Sequence, residues 1–160
     1  MLSRIVKVSI AFAACLFISC HSESAQTRQF TTADVQKLRW IEGTWRGSGD
    51  VDKPFFERYR FEGDSVLLVD SFEDGSLAKV TDTTRFELNN GEFGGGSEGS
   101  RYVAKSIDDQ AIEFAPAVKA RNSFRWERIS TDLWRATIMN PATKDKPASQ
   151  RVYKMERIKQ

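Results

Sequence analysis

Histidine and cysteine are scarce in this 160-residue sequence, and both are confined to its first 21 residues. The histidine is His21, and the two cysteines are Cys15 and Cys20. The rest of the chain therefore has no imidazole or thiol, which excludes Ser-His-Asp and Cys-His catalysis, a histidine-ligated haem and Cys/His zinc sites there. We expect no cofactor and no metal, and we assign no catalytic residue.

An excess of charge is absent as well. Of the 24 basic side chains, Arg4 and Lys7 lie in the first 19 residues, and the remaining 22 match the 22 acidic ones. Proteins that bind nucleic acids normally carry a basic excess on one face. We therefore expect no nucleic-acid partner.

The apolar run at the N-terminus is too short for a transmembrane helix. It covers the eleven residues 8–18 and follows the basic residues Arg4 and Lys7. A helix needs about 20 apolar residues to span a bilayer, whereas a basic segment followed by a shorter apolar run is typical of a signal peptide. The sequence therefore predicts export.

Residues 17–20 (FISC) resemble the cleavage box of bacterial lipoproteins, in which the cysteine becomes the acylated first residue. On this interpretation Cys20 carries the lipid, although Phe17 stands where the usual box has leucine. The alternative is ordinary signal-peptide cleavage near Ala25, which would put Glu23 at a position where a small residue is expected. The lipid would hold the protein on a membrane, since each buried CH₂ contributes about 0.8 kcal/mol.

These features divide the chain into three parts. Residues 1–19 are the predicted signal peptide, 20–31 a lipidated tether, and 32–160 a barrel domain. By analogy with lipoprotein sorting, His21 after Cys20 favours the outer membrane. We expect a monomeric lipoprotein of the bacterial envelope that faces the periplasm and is held through Cys20.

One short helix is predicted at the start of the domain. Thr31 or Thr32 can cap it, and Val35, Leu38 and Ile41 recur at helical spacing along one face. After Gly43 the pattern changes to the alternation typical of strands.

About nine apolar or alternating runs follow, separated by turn signals every 8–12 residues. This series predicts an all-β fold: an antiparallel up-and-down barrel of about 8–10 strands with one short N-terminal helix. Closing the barrel removes exposed strand edges. After the first run at Gly43, the others begin at Phe55, Ser65, Leu77, Tyr102, Ala111, Ser123, Leu133 and Arg151.

Residues 94–99 (GGGSEG) match the spacing of a dinucleotide-binding loop. Such a loop must lie between a strand and a helix, whose N-terminus faces the pyrophosphate. The residues that follow, 101–104, are typical of a strand. The glycine run is therefore interpreted as a flexible hairpin loop.

The segment Leu38–Trp45 (LRWIEGTW) contains the most specific motif. It resembles the L-x-W-L-x-G-x-W opening of small bacterial lipocalin-like (calycin-type) domains of unassigned function. Further similarities are the segments 57–59 (ERY), 102–104 (YVA) and 114–126, so the resemblance covers roughly residues 38–158. It implies a barrel whose Trp45 plugs one end, often under an arginine.

The sequence departs from those domains at one element. They often carry His-Asp-Phe-Pro after the proline, and here residues 118–121 read VKAR. Haem-binding barrels that open with Gly-Thr-Trp use a histidine ligand, which the domain also lacks. The resemblance therefore implies neither haem nor any chemistry that depends on that element.

Glu57 is the candidate with the most chemical interest. It alternates with Phe55, Tyr59 and Phe61, so an inward-facing register would place a carboxylate among aromatic rings. Burial would raise its pKa and suit it to act as an acid, a base or a ligand anchor. In the alternative interpretations it pairs with an inward arginine, or Phe56 faces inward and Glu57 meets water.

Aromatic side chains on the late strands either line a pocket or fill a core. Trp134 is interpreted as core, and Arg58, Arg60, Arg125 and Arg128 as solvated charges on the outer face. Our first hypothesis is a module that binds a small hydrophobic or amphipathic ligand; the alternatives are an enzyme that uses Glu57 and a packed scaffold in an envelope complex. The predicted ligand-binding residues are Trp45, Glu57, Tyr59, Tyr102, Phe124, Trp126 and Tyr153.

Overall fold

Ten antiparallel strands form a closed barrel in the computed structural model, which describes residues 29–49, 53–97 and 99–159. Each strand pairs with its neighbours in sequence, and the last strand closes on the first. The predicted all-β, up-and-down architecture with one short helix is confirmed, and it is compatible with a lipocalin-like fold. The helix is α1 (Thr32–Gln36), followed by a 3₁₀ turn at Lys37–Ile41, and the strands are β1 (Gly43–Gly49), β2 (Phe55–Glu62), β3 (Val66–Phe72), β4 (Val80–Asn89), β5 (Glu92–Gly96), β6 (Arg101–Ile107), β7 (Ala111–Val118), β8 (Ser123–Ser130), β9 (Leu133–Asn140) and β10 (Ser149–Arg157).

The helix begins as its sequence predicts. Thr31 Oγ1 accepts a hydrogen bond from the Asp34 amide (3.3 Å), and the Asp34 carboxylate accepts one from the Thr31 amide (3.0 Å). This capping box satisfies two amides that the first turn leaves unpaired. The three apolar side chains on the predicted helical face are buried and pack into the core; they are Val35, Leu38 and Ile41.

Phe30, which lies in the predicted tether, is also part of the core. Its side chain is buried, and its amide donates a 2.7 Å hydrogen bond to the carbonyl of Gly91. The predicted signal peptide and the lipidation site at Cys20 lie outside the described residues. Among the described residues, no helix combines the length and apolar character needed to cross a bilayer.

Trp45 closes one end of the barrel. It is fully buried, and its indole Nε1 donates a 2.7 Å hydrogen bond to the carbonyl of Ile41. The Arg157 guanidinium lies 4.0 Å from the centre of the indole and donates to the carbonyls of Glu42 (2.8 Å) and Trp40 (3.2 Å). This cation–π contact and these bonds fix the 3₁₀ turn over the barrel end. The arrangement matches what the resemblance implied for Trp45.

The interpretation of residues 94–99 as a hairpin loop is wrong for residues 94–96, which form a strand, and is confirmed at Ser97 and Gly99, which lie between β5 and β6. Residues 94–96 belong to β5, and the turn to β6 begins only at Ser97. A Cβ on Gly95 would lie closer than 3.0 Å to the carbonyl oxygen of Arg85 on β4, so only glycine permits this approach of the two backbones. The strand predicted after the glycine run is confirmed as β6, and it excludes a dinucleotide-binding loop, which requires a helix there.

Two of the predicted outer-face arginines hold a buried acid. Arg58 and Arg60 are about two-fifths exposed, and both donate to Asp70, whose side chain is 3% exposed (2.8 Å and 3.0 Å). The hydroxyl of Thr83 adds a third bond of 2.8 Å. Burial acts to raise the pKa of Asp70, but these bonds outweigh it and lower the pKa to about 2. The two arginines therefore join β2 to β3 instead of serving only as solvated charges.

Candidate functional site

An aromatic cavity of about 480 Å³ occupies the barrel interior. Its lining extends from Tyr59 and Trp134, near the closed end, to Ser97 and Asn122 in the loops at the opposite end. This volume lies within the range of small-molecule sites. The barrel is therefore not completely filled by its own side chains.

Six of the seven predicted ligand-binding residues line this cavity, and Trp45 does not. Trp45 instead forms the closed end of the barrel, where Arg157 covers it. Ligand binding by the other six stays a prediction. They are Glu57, Tyr59, Tyr102, Phe124, Trp126 and Tyr153.

The structure places Glu57 on the inner face of β2. Phe55, Glu57 and Tyr59 all line the cavity, whereas Arg58 between them bonds to Asp70 on the outer face. Of the alternatives that the sequence left open, the inward register is the one observed. No arginine pairs with Glu57 among the described residues, so the carboxylate lies among rings without a cationic partner.

Tyr59 is the hydrogen-bond partner of Glu57. Its hydroxyl donates to Glu57 Oε2 at 2.7 Å. Burial raises the pKa of Glu57, and the bond from Tyr59 opposes this rise. Burial, together with the nearby carboxylate, raises the pKa of Tyr59 well above 10, so Tyr59 stays protonated and donates.

Trp126 lies at the centre of the aromatic lining. Its ring is in contact with Tyr59, Phe86 and Phe124, with centroids 5.5–5.6 Å apart. It also contacts Trp134 at 5.9 Å. Such pairs add about 0.5–1.5 kcal/mol each beyond the area they bury. These contacts give the cavity well-packed walls.

Sequence reasoning missed several lining residues. Phe86 and Thr84 alternate on β4, and that pattern could have identified them as inward-facing. Asn122 accepts a 3.0 Å hydrogen bond from the Tyr102 hydroxyl and lies in a loop, where no periodicity marks it. A loop residue that reaches into a cavity can be identified only once the fold is known.

The cavity contains few groups that could perform chemistry. Within the described part of the chain, no cluster of three or more His, Cys, Asp or Glu residues is placed to hold a metal ion. The lining offers one carboxylate, three tyrosine hydroxyls and the side chains of Thr84, Ser97 and Asn122 as polar groups. This set suits orientation of a bound molecule.

The sequence was compared with protein-family models and with curated proteins. No family model matches it, and none of the curated proteins matches it. The candidate site therefore depends on the geometry of the barrel alone.

Replacing Glu57 with glutamine is expected to stabilise the protein at pH 7. Because burial raises the folded-state pKa of Glu57 above 4.5, its ionisation costs stability as the pH rises through that folded-state pKa. Glutamine removes this cost and can still accept from Tyr59. Below pH 4.5 both side chains are uncharged, and the difference should disappear. Urea unfolding at pH 7 and pH 4 measures it.

Glu156→Gln is the control for this substitution. The Glu156 side chain is 43% exposed, and the hydrogen bond from Lys154 lowers its pKa, so its replacement should not stabilise the protein at pH 7. Equal stability of wild type and Glu57→Gln at both pH values would show that Glu57 carries no ionisation cost.

Proposed function

We propose that this protein is a lipocalin-like barrel that holds a small hydrophobic or amphipathic molecule in its aromatic cavity. The observation that carries this proposal is the cavity itself: about 480 Å³ of space lined largely by aromatic and other apolar side chains, with a few polar groups among them. Apolar walls supply the affinity in such sites, and sparse polar groups orient the ligand. The closed end at Trp45 leaves entry to the loop end.

We further propose that the barrel works in the bacterial envelope, attached to the outer membrane through a lipid at Cys20 and facing the periplasm. The basic segment, the short apolar run and residues 17–20 support export and lipidation. The opening motif and its Trp45–Arg157 contact support kinship with the bacterial lipocalin-like domains. Attached in this way, the barrel is a monomer that meets ligands at the membrane.

An enzyme that uses Glu57 is the second candidate. It is favoured by the inward carboxylate with a raised pKa, because such groups often act as acids or bases.

The packed-scaffold alternative has less support, because an interaction surface needs neighbouring exposed apolar side chains. The four exposed large hydrophobic side chains lie on four strands and no two are cross-strand partners in the described residues; they are Val80, Val118, Ile129 and Val152.

Mass spectrometry of the protein, expressed from its full sequence and recovered from bacterial envelopes, tests the binding proposal. Under native conditions we expect a non-covalent ligand on the wild type. Ala136→Trp should lose it, because Ala136 lines the cavity and an indole would fill the space. Under denaturing conditions the mass should be that of a chain beginning at acylated Cys20.

Thr137→Trp is the matched control, because Thr137 follows Ala136 on β9 and points to the opposite face. It should keep the ligand. A wild type without ligand, or equal occupancy in both variants, would reject binding in this cavity. An unmodified cysteine, or a chain that begins near Gln26, would reject the lipid anchor.

A further inference from the structure

We propose that the ligand of this cavity is a small organic cation, a protonated amine with an apolar or aromatic body, whose ammonium group pairs with Glu57. This inference rests on the proposed function and names the class of ligand. It follows from the charges, the unused hydrogen-bonding capacity and the ring faces of the lining.

The charge in the cavity lining is negative. Glu57 is the one lining residue that carries a formal charge, and no Lys, Arg or His lines the cavity within the described chain. The arginines on the same strand point outward to Asp70. A ligand carboxylate or phosphate would therefore meet Glu57 without any cation to neutralise it, and the cost of burying such a charge disfavours anions.

Glu57 has hydrogen-bonding capacity left for a ligand. Tyr59 donates to Oε2, and no described residue donates to Oε1. A carboxylate offers about four acceptor positions, so a ligand ammonium can bind while the Tyr59 bond stays in place. That bond also fixes the orientation of the carboxylate. Pairing with a cation offsets the cost of burying the ionised form.

The walls beside Glu57 favour the same charge. Tyr59 packs edge-to-face against Trp126 and Trp134, at 5.6 Å and 5.5 Å between centroids. Ring faces attract cations, and tryptophan does so most strongly. A carboxylate among aromatic rings therefore selects an ammonium group over an alcohol of equal size, whereas apolar rings alone would accept either.

Three ligands with one body test this inference: 4-phenylbutylamine, 4-phenylbutanol and 4-phenylbutyrate. Each is titrated against the full-length protein at pH 7, and its affinity is measured by displacement of the uncharged fluorescent probe N-phenyl-1-naphthylamine. We expect the amine to bind at least about ten-fold more tightly than the alcohol, and the carboxylate to bind most weakly. In Glu57→Gln the difference between amine and alcohol should disappear.

Glu113→Gln serves as the control, because Glu113 pairs with Lys105 on the outside of the barrel and does not line the cavity. It should keep the full preference for the amine. Circular dichroism confirms folding of both variants. An alcohol that equals the amine, a tighter carboxylate, or displacement by none of the three overturns the cation inference but leaves binding intact. Failure of the probe itself to bind counts against the proposed function instead.

Discussion

Trp45→Ala is expected to lower the free energy of unfolding by about 3–5 kcal/mol, the range for truncation of a buried tryptophan. The indole is fully buried and packs edge-to-face on Trp134 at 6.1 Å. Its loss also removes the bond to Ile41 and the cation–π contact with Arg157. Small domains are stable by about 5–15 kcal/mol, so this loss is a large fraction of the total. Urea unfolding followed by far-ultraviolet circular dichroism measures it.

Two control variants separate the contributions at this end of the barrel. Trp45→Phe keeps a ring under Arg157 but cannot donate to Ile41, so its cost should lie between those of wild type and alanine. Val152→Ala, on an exposed position of β10, should change stability by less than about 0.5 kcal/mol. A cost below about 1 kcal/mol for Trp45→Ala would show that Trp45 does not hold the closed end together.

The sequence predicts the helix at the closed end well because the signals for a helix are local. The capping residues Thr31 and Asp34 are three positions apart, and the buried face of the helix repeats at a fixed spacing. The fold class is predictable for a related reason: in an up-and-down barrel every strand pairs with its neighbour in sequence. Among the strand pairs, only that of β1 with β10 joins distant parts of the chain.

The strand β5 escaped prediction because it is rich in glycine. Residues 94–96 have no side chains, so they show no alternation, and their composition is typical of a loop. What makes them a strand is the backbone of β4, which approaches too closely for a Cβ at Gly95. That approach is a tertiary constraint, visible only once β4 and β6 are in place.

The candidate site was predictable in its residue types but not in its geometry. Alternation along β2 groups Glu57 with Tyr59, yet it cannot show which face points inward. The Asp70 cluster fills the outer face with Arg58 and Arg60, and that arrangement requires the register of three strands. The side chains that satisfy the acid on the outer face thus point away from Glu57, which has no cationic partner among the described residues.

Gly95→Ala is expected to cost about 3 kcal/mol, at the upper end of the usual range for overpacking. The added methyl would meet the carbonyl oxygen of Arg85, which is backbone and cannot rotate away. Relief requires β4 and β5 to separate, although they pair from Arg85 to Asn89. Urea unfolding measures the loss of stability.

Gly75→Ala is the matched control for this substitution, because neither glycine has a positive φ. Its added methyl would lie 2.9 Å from the far end of the Phe56 ring, a side chain that can move aside. We expect a change below about 1 kcal/mol there. Gly96 borders the cavity and adjoins Gly95, so Gly95→Ala should also weaken binding of N-phenyl-1-naphthylamine, which Gly75→Ala should not. Equal effects of the two variants on stability would mean that β4 and β5 can separate at little cost. The close approach of the two strands would then not require glycine at position 95.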